Sequence, residues 1–312
     1  TGVDYWTHER YGIPSMYRGN ERIEEEGFAT ELFEREAVRF IEGNEDEPMF
    51  LYVPFNSPHG ASNLDGQSQQ APDEYIAMYA DPPGDGDARR KANITCMDAA
   101  VGAIRDALEA QGMLENTLFL FTSDHGGGGG GSNEPLRGNK GDMHEGGLRV
   151  PFIARWPGEI PEGTVSNEFC SALDLLPTFA AAAGTTPPED VILDGYNILP
   201  VFTGEGESPR TTHFWELRGK RAARVGDWKW VMETDERWVH PDPDARELYD
   251  LSSDIGEENN LAESRPEKEQ ELREQWETWI REMYESEPRG PFSKQAYIDL
   301  LGYGDGHYSL ES

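Results

Sequence analysis

Cysteine and lysine are both scarce in this chain. Only Cys96 and Cys170 are present among 312 residues, and they lie far apart. Two thiols so few and so distant read as buried free cysteines in preference to a disulfide. Lysine occurs 6 times beside 21 arginines, and these 27 cations face 60 acidic residues, for a formal net charge of −33. Nucleic acid and anionic membrane surfaces would be repelled by such a chain, so both are excluded as partners. The same excess suits a protein kept soluble at high salt, where screening relieves self-repulsion, so a halophilic or marine source is expected. No apolar run approaches the length needed to cross a bilayer. The chain opens at Thr1 with no signal-like segment and reads as a processed protein or a fragment. Its length supports one large domain, or one large and one small.

The most informative stretch runs from Thr117 to Arg155. An apolar segment, 117–122, breaks into Ser123-Asp124-His125-Gly126, followed by a glycine run to Gly131. A second apolar segment, 150–155, follows Leu136-Arg-Gly-Asn-Lys140-Gly-Asp-Met-His-Glu145-Gly-Gly-Leu-Arg-Val150-Pro151. Short apolar runs before turn residues predict strands buried on both faces of a parallel sheet. Ligands of open α/β sheets sit beyond the carboxyl ends of strands, which is where Asp124 and His125 emerge. A carboxylate and an imidazole there can face one cation, so both are candidate metal ligands. Lys140 lies between two glycines, which lets the backbone bring its ammonium close to an anion. The glycine run satisfies a dinucleotide fingerprint trivially, but no helix opens after it, and it reads as a hinge at a site rim.

Earlier in the chain, 1–27 reads as loop with a short hairpin, and 30–43 as a helix with Thr30 as its cap. Met49-Phe-Leu-Tyr-Val-Pro54 is expected as another buried strand, discharging into Phe55-Asn-Ser-Pro-His59-Gly60. Residues 60–87 form a polar excursion with a helical turn or two at 74–79. From 88 to 111 runs a long helix with Met97, Val101, Ile104 and Leu108 on one stripe. Strand, helix, strand (49–54, 88–111, 117–122) implies parallel neighbours. Asn93-Ile94-Thr95 matches a glycosylation sequon but falls within that helix and is discounted. A helix is expected over 169–184 with Leu173, Leu176, Phe179, Ala180 and Ala183 inward. Beyond 204, short segments at 211–216, 221–225, 228–233 and 247–251 read as an antiparallel sheet. A charged helix over 267–284 covers it with Leu272, Trp276, Trp279 and Met283. The expected division is therefore 1–204 and 205–312, and the tail after Gly290 has no assignment.

Ser-Asp-His-Gly, then Gly-Asn-Lys-Gly, then Glu-Gly-Gly-Leu-Arg-Val-Pro, in that order, resembles the type I sulfatases of the alkaline phosphatase superfamily. Asp174-Leu-Leu-Pro-Thr, Leu193-Asp194-Gly195 and Glu247-Leu-Tyr-Asp-Leu resemble further family segments, with Asp194 read as structural. Asp4-Tyr-Trp-Thr-His8-Glu-Arg10 is similar to arylsulfatase B-type enzymes. The resemblance implies an α/β fold: an alkaline phosphatase-like, mostly parallel sheet flanked by helices, with a small carboxyl-terminal antiparallel sheet plus helix. It implies hydrolysis of sulfate esters on sulfated carbohydrate in a secreted or periplasmic protein. It places His59 and Lys140 at the sulfate, and calcium as the cation held in part by Asp124 and His125. His125 stands where the family usually has Asn, which keeps a softer divalent ion as an alternative. His144 before Glu145 is also unusual.

The family's nucleophile is a formylglycine made from a cysteine in Cys-x-Pro-x-Arg, and neither Cys96 nor Cys170 fits that pattern. The resemblance therefore covers the later part of a sulfatase, and the chain is expected to be catalytically incomplete alone. Two other functions fit the same residues. One is a metal-dependent phosphatase or phosphodiesterase of the same superfamily; the other is a non-catalytic, acidic calcium- or glycan-binding module.

Overall fold

The structure is a computed structural model that describes residues 3–44, 47–63, 66–79, 86–233 and 245–285. Two compact units emerge, Thr1–Thr117 with Trp156–Gly158, and Leu118–Arg155 with Glu159–Ser312.

The first unit begins with two short hairpins, β1 (Glu9–Arg10) with β2 (Ile13–Pro14) and β3 (Tyr17–Arg18) with β4 (Glu21–Arg22). Helix α1 spans Ala29–Glu42, and its cap is Phe28, not Thr30. The Thr30 side chain is instead buried, its hydroxyl 2.8 Å from that of Ser57. A turn of helix α2 (Asp73–Ile76) precedes the long α3 (Gly86–Ala110). The buried stripe of α3 is Ala92, Cys96, Ala100, Ile104 and Leu108. Met97 and Val101 sit one position off it, half-buried. Small residues at this spacing let α1 and α3 approach closely, and Tyr5, Phe28, Ala29 and Cys96 form the resulting core. Asn93 lies on the same face, with no exposure, so the sequon is closed within the fold.

Residues 49–54 do not form the expected buried strand. They are extended but join no ladder among the described residues, and Phe50 and Tyr52 are 70% and 75% exposed. A strand is buried on both faces only when neighbours flank it, and none is described beside this segment.

In the second unit, β5 (Phe119–Thr122) pairs with β6 (Phe152–Arg155) in an antiparallel register, Phe119 opposite Arg155. The parallel crossover expected through 117–122 is therefore not formed among the described residues, and Ile153 is 62% exposed. Between the two strands lies one helical turn, α4 (Glu145–Leu148). Helix α5 covers only Leu175–Ala182, behind a 3-10 turn whose Ser171 and Asp174 form a capping box. Its buried face carries Pro177 and Thr178, while Leu173 and Leu176, expected inward, are exposed. Asp174 is fully buried and receives both the Nε and Nη2 of Arg210. Arg210 also donates to the Asp194 carbonyl at 2.8 Å, so Asp194 serves structure through its backbone. A short α6 (Leu199–Thr203) follows.

The carboxyl-terminal sheet matches the sequence closely. Strands β7 (Thr212–Leu217), β8 (Lys220–Val225), β9 (Trp228–Met232) and β10 (Arg246–Asp250) form one antiparallel sheet in the order β10-β9-β8-β7. Alternation sends Ala223, Trp230, Met232 and Leu248 to one face, where α7 (Pro266–Glu285) packs Leu272, Trp276 and Ile280 against them. Met283, expected in that stripe, is exposed, and Ile280 takes its place. The opposite face holds Ala222, Val231 and Tyr249 around the side chain of Met143. The tail after Gly290 lies outside the described residues.

Candidate functional site

At the end of β5 the chain turns through Ser123 and delivers two of the candidate ligands side by side. His125 Nε2 lies 3.2 Å from Asp124 Oδ2, with the Asp124 side chain 82% exposed. The other ring nitrogen, Nδ1, is 2.9 Å from the Gly126 carbonyl and must donate its proton there. Nε2 is left facing the Asp124 carboxylate. Metal-bound histidines are held in just this way, with the second nitrogen donating to a carbonyl. Two donors nevertheless fall short of the six to eight oxygens of calcium. Among the described residues no group of three or more His, Cys, Asp or Glu side chains gathers as a cation site. The residues present fit part of a coordination shell.

Lys140 is carried by a turn that the glycine run holds from behind. Its backbone N–H donates to Gly127 at 3.0 Å, and Asn133 clips the two segments through Gly127 and the Gly138 carbonyl. A Cβ on Gly128 would stand 3.1 Å from Lys140 Cβ, so the absence of a side chain lets the backbones close up. Gly126 donates to the Gly147 carbonyl, which knits the Asp124-His125 corner to the same loop. Side chains at Gly126, Gly146 and Gly147 would all overlap backbone atoms of this loop. The structure thus places Asp124, His125 and Lys140 on adjoining, backbone-bonded segments, with the Lys140 side chain exposed.

His59 belongs to the first unit. Its backbone N–H donates to Asn56, and its carbonyl accepts from the buried Tyr5 hydroxyl at 2.9 Å. The ring is exposed, with Nδ1 2.6 Å from the Gly60 carbonyl, which fixes the tautomer and leaves Nε2 facing out. Beneath the loop, Ser57 donates to the buried Asn93 side chain. Asp4 accepts from Trp6, Thr7, Asn63 and Gln70, so the 4–10 segment is a structural anchor here. These bonds hold the Asp4 carboxyl down at about 2, although burial alone would raise it.

The ion pairs that fix the Lys140 turn escape a reading of the sequence, because their partners lie about a hundred residues away. Arg137 donates to Tyr249 at 2.6 Å, to the Glu257 carbonyl at 3.2 Å and to Glu247 at 3.2 Å. Lys220 reaches Asp142 at 2.8 Å. His144 lies 2.6 Å from Glu247 and 3.6 Å from Glu233. Lys229, with no exposure, sits 2.8 Å from Glu145 and 2.9 Å from Glu257. Burial alone would depress the His144 imidazole, but Glu233 and Glu247 outweigh it and raise the group to about 9. Glu145 is held below its ordinary range by Lys229 against the opposing effect of burial. The glutamate before the double glycine was the visible signal; its lysine partner on β9 had none.

The family model for Sulfatase matches residues 2–185, and that for the carboxyl-terminal region of N-sulphoglucosamine sulphohydrolase matches 139–286. Human arylsulfatase A is 37% identical over 246 residues, covering 70% of this chain and 45% of that enzyme. Dog N-acetylgalactosamine-6-sulfatase is 32% identical over 223 residues, covering 66% and 40% respectively. The crystal structure of Ps i-CgsB superposes with a TM-score of 0.76 at 28% identity, covering 89% of this chain and 64% of that one. That of a 2-O GAG sulfatase gives 0.58 at 18% identity, covering 89% and 69%, and shares the fold. The alkaline phosphatase-like architecture expected from the sequence is the one these structures have, with its small carboxyl-terminal antiparallel sheet. The chain spans less than half the length of the arylsulfatases it matches. With the Sulfatase model covering more than half of its residues, and the Lys140 loop built as described, the chain belongs to the sulfatase family.

Proposed function

We propose that the chain is the later portion of a sulfuric ester hydrolase acting on sulfated sugars or polysaccharides such as glycosaminoglycans. The observation that carries this reading is the Lys140 turn, an exposed ammonium on a rigid loop bonded to the strand-end Asp124-His125 pair. Sulfate transfer needs positive charge and donors at the nonbridging oxygens, and a group to protonate the leaving oxygen. Lys140 would supply the first within its own unit; His59, on the other unit, is the second donor that the family resemblance implies. Asp124 and His125 would be two ligands of the divalent cation, calcium in this reading, that the family resemblance implies. Support for a sugar substrate comes from relatives: one is named N-acetylgalactosamine-6-sulfatase, and Ps i-CgsB was solved with k-i-k-neocarrahexaose.

The same reading makes the chain a binder that does not turn over by itself. Cys96 is buried within α3, where desolvation pushes its thiol up to about 12, and Cys170 is half-buried with its thiol also raised by burial. Neither has the Cys-x-Pro-x-Arg context. A secreted or periplasmic setting, and a saline one given the charge of −33, belong to the proposal. No helix among the described residues is long and apolar enough to cross a membrane.

The test is an equilibrium titration with N-acetylgalactosamine 6-sulfate and its unsulfated parent, run beside an aryl sulfate turnover assay. Preference for the sulfated sugar, weakened at least tenfold in Lys140→Ala and without turnover, supports the reading. Equal binding of both sugars overturns it, and brisk turnover overturns the missing nucleophile. Calcium titration of Asp124→Ala decides the cation: unchanged affinity would mean that the acidic surface, not the pair, binds it.

A further inference from the structure

We propose that His144 is a positioning residue for the Lys140 loop, a titratable latch that fastens the loop to two adjacent strands of the carboxyl-terminal sheet. This rests on the sulfatase reading only for the purpose of the loop; the latch itself is a statement about this chain's own packing. His144 is 4% exposed and stands between two carboxylates, Glu247 on β10 at 2.6 Å and Glu233, just past β9, at 3.6 Å. The Tyr249 hydroxyl donates to the same Glu247 oxygen that the ring contacts, at 2.8 Å. The ring therefore provides the second proton at that oxygen, and its other nitrogen faces an acid as well. Only a doubly protonated imidazole satisfies both sides.

The remaining charges around His144 do not replace it. Lys220 is 3.5 Å from Glu233 but is shared with Asp142, at 2.8 Å. Arg137 reaches Glu247 through its other oxygen, at 3.2 Å. Glu257 and Asp142 add negative potential at the ring. A neutral ring would leave Glu233 and Glu247 as half-buried acids with one fewer cation, beside the Met143 amide, which donates to Glu233. Met143 and Glu145 flank His144, with Met143 plugged into the core under β8–β10 and Glu145 held by Lys229. Release of the ring thus loosens the run from Gly138 to Asp142, where Lys140 sits, leaving it to the Lys220–Asp142 pair and the bonds to Gly127 and Asn133, while the anchor at Glu145 stays.

Hydrogen exchange of the intact chain, corrected for intrinsic chemistry, reads this out without any turnover. Amides of 138–143 should be protected at pH 6 and lose protection as pH rises through about 9. The loss can reach a few hundredfold, the factor equivalent to the shift from 6.5 to about 9. His144→Gln should remove that protection at every pH, and His144→Arg should restore it with no step near pH 9. Amides of β8 and β9 serve as the internal control, since global unfolding would expose them too. If His144→Gln does not fold, Glu233→Gln, which deletes the longer contact, should bring the step down by about one pH unit. An unmoved step there, or full loop protection in His144→Gln, overturns the latch. Failure of the sugar titration with the latch intact would overturn the sulfatase reading alone.

Discussion

Replacing Lys229 by methionine keeps the side-chain volume and removes the one charge that two buried acids share. Lys229 has no exposure, and its ammonium is 2.8 Å from Glu145, 3% exposed, and 2.9 Å from Glu257, fully buried. Glu257 also accepts the backbone N–H of Glu145 at 2.6 Å, so both carboxylates are fixed in place. Removing one partner of a buried ion pair costs about 3–5 kcal/mol, because the other charge is left without compensation. Two acids here depend on one lysine, which places the expected cost at the upper end, about 5 kcal/mol, or on the order of 10 °C in midpoint. Urea unfolding followed by tryptophan fluorescence measures it, since Trp230 on the same strand and Trp276 beneath it are both buried. The cost must also depend on pH with a definite sign. In the native chain Lys229 holds Glu145 below its ordinary range, so that contribution is present above about 4.5 and fades as pH falls. Glu257 is already raised by burial in the native chain, against the pull of Lys229; in the variant Glu145 is raised as well and Glu257 further, and protonation relieves both. The deficit should therefore be large at pH 7 and small at pH 4, and the triple variant Glu145→Gln, Lys229→Met, Glu257→Gln should recover most of it. A cost below about 1 kcal/mol, or one equal at both pH values, refutes the reasoning.

Four further outcomes are expected. Gly146→Ala should prevent folding or cost more than about 3 kcal/mol in chemical denaturation, because its Cβ would overlap the backbone carbonyls of Gly138 and Arg137. Gly141→Ala, with φ +89° but open space around it, should cost only about 1 kcal/mol. Tyr5→Phe removes one hydrogen bond to the His59 carbonyl and should lower thermal stability by about 1 kcal/mol. In a complete enzyme containing this segment, Lys140→Ala should raise the barrier by about 3 kcal/mol, read as kcat/KM on a sulfated substrate; an unaffected rate removes Lys140 from the site.

The parts of this molecule legible in its sequence are those that local physics decides. Alternation and turn residues place β7 to β10 within a residue or so of their observed ends, and the stripe containing Leu272 and Trp276 finds its sheet. The glycines flanking Lys140 announce a tight turn, and Gly138 and Gly141 do adopt φ of +89°. What depends on distant neighbours was not legible. The 49–54 segment is apolar enough for a central strand, yet composition says nothing of what lies beside it. On α3 the contact face is set by how closely α1 approaches, which favours the alanines and Cys96 over the bulkier Met97 and Val101. The histidine at 144 gave no hint of its carboxylate partners, since Glu233 and Glu247 are brought to it only by the pairing of β9 with β10. The turn that carries Lys140 and the strand end before Asp124-His125 advertise themselves; the charges beneath them do not.

The closed position of Asn93 bears on how this protein can be made. Its side chain accepts from Ser57 under the His59 loop, on the helix face that meets α1. An oligosaccharide attached there would have to occupy the space that those two helices share. Eukaryotic secretory hosts modify such a sequon while the polypeptide is still emerging, before α1 and α3 have met. Production in such a host would wedge the helices apart, and a host without that machinery would yield the native packing.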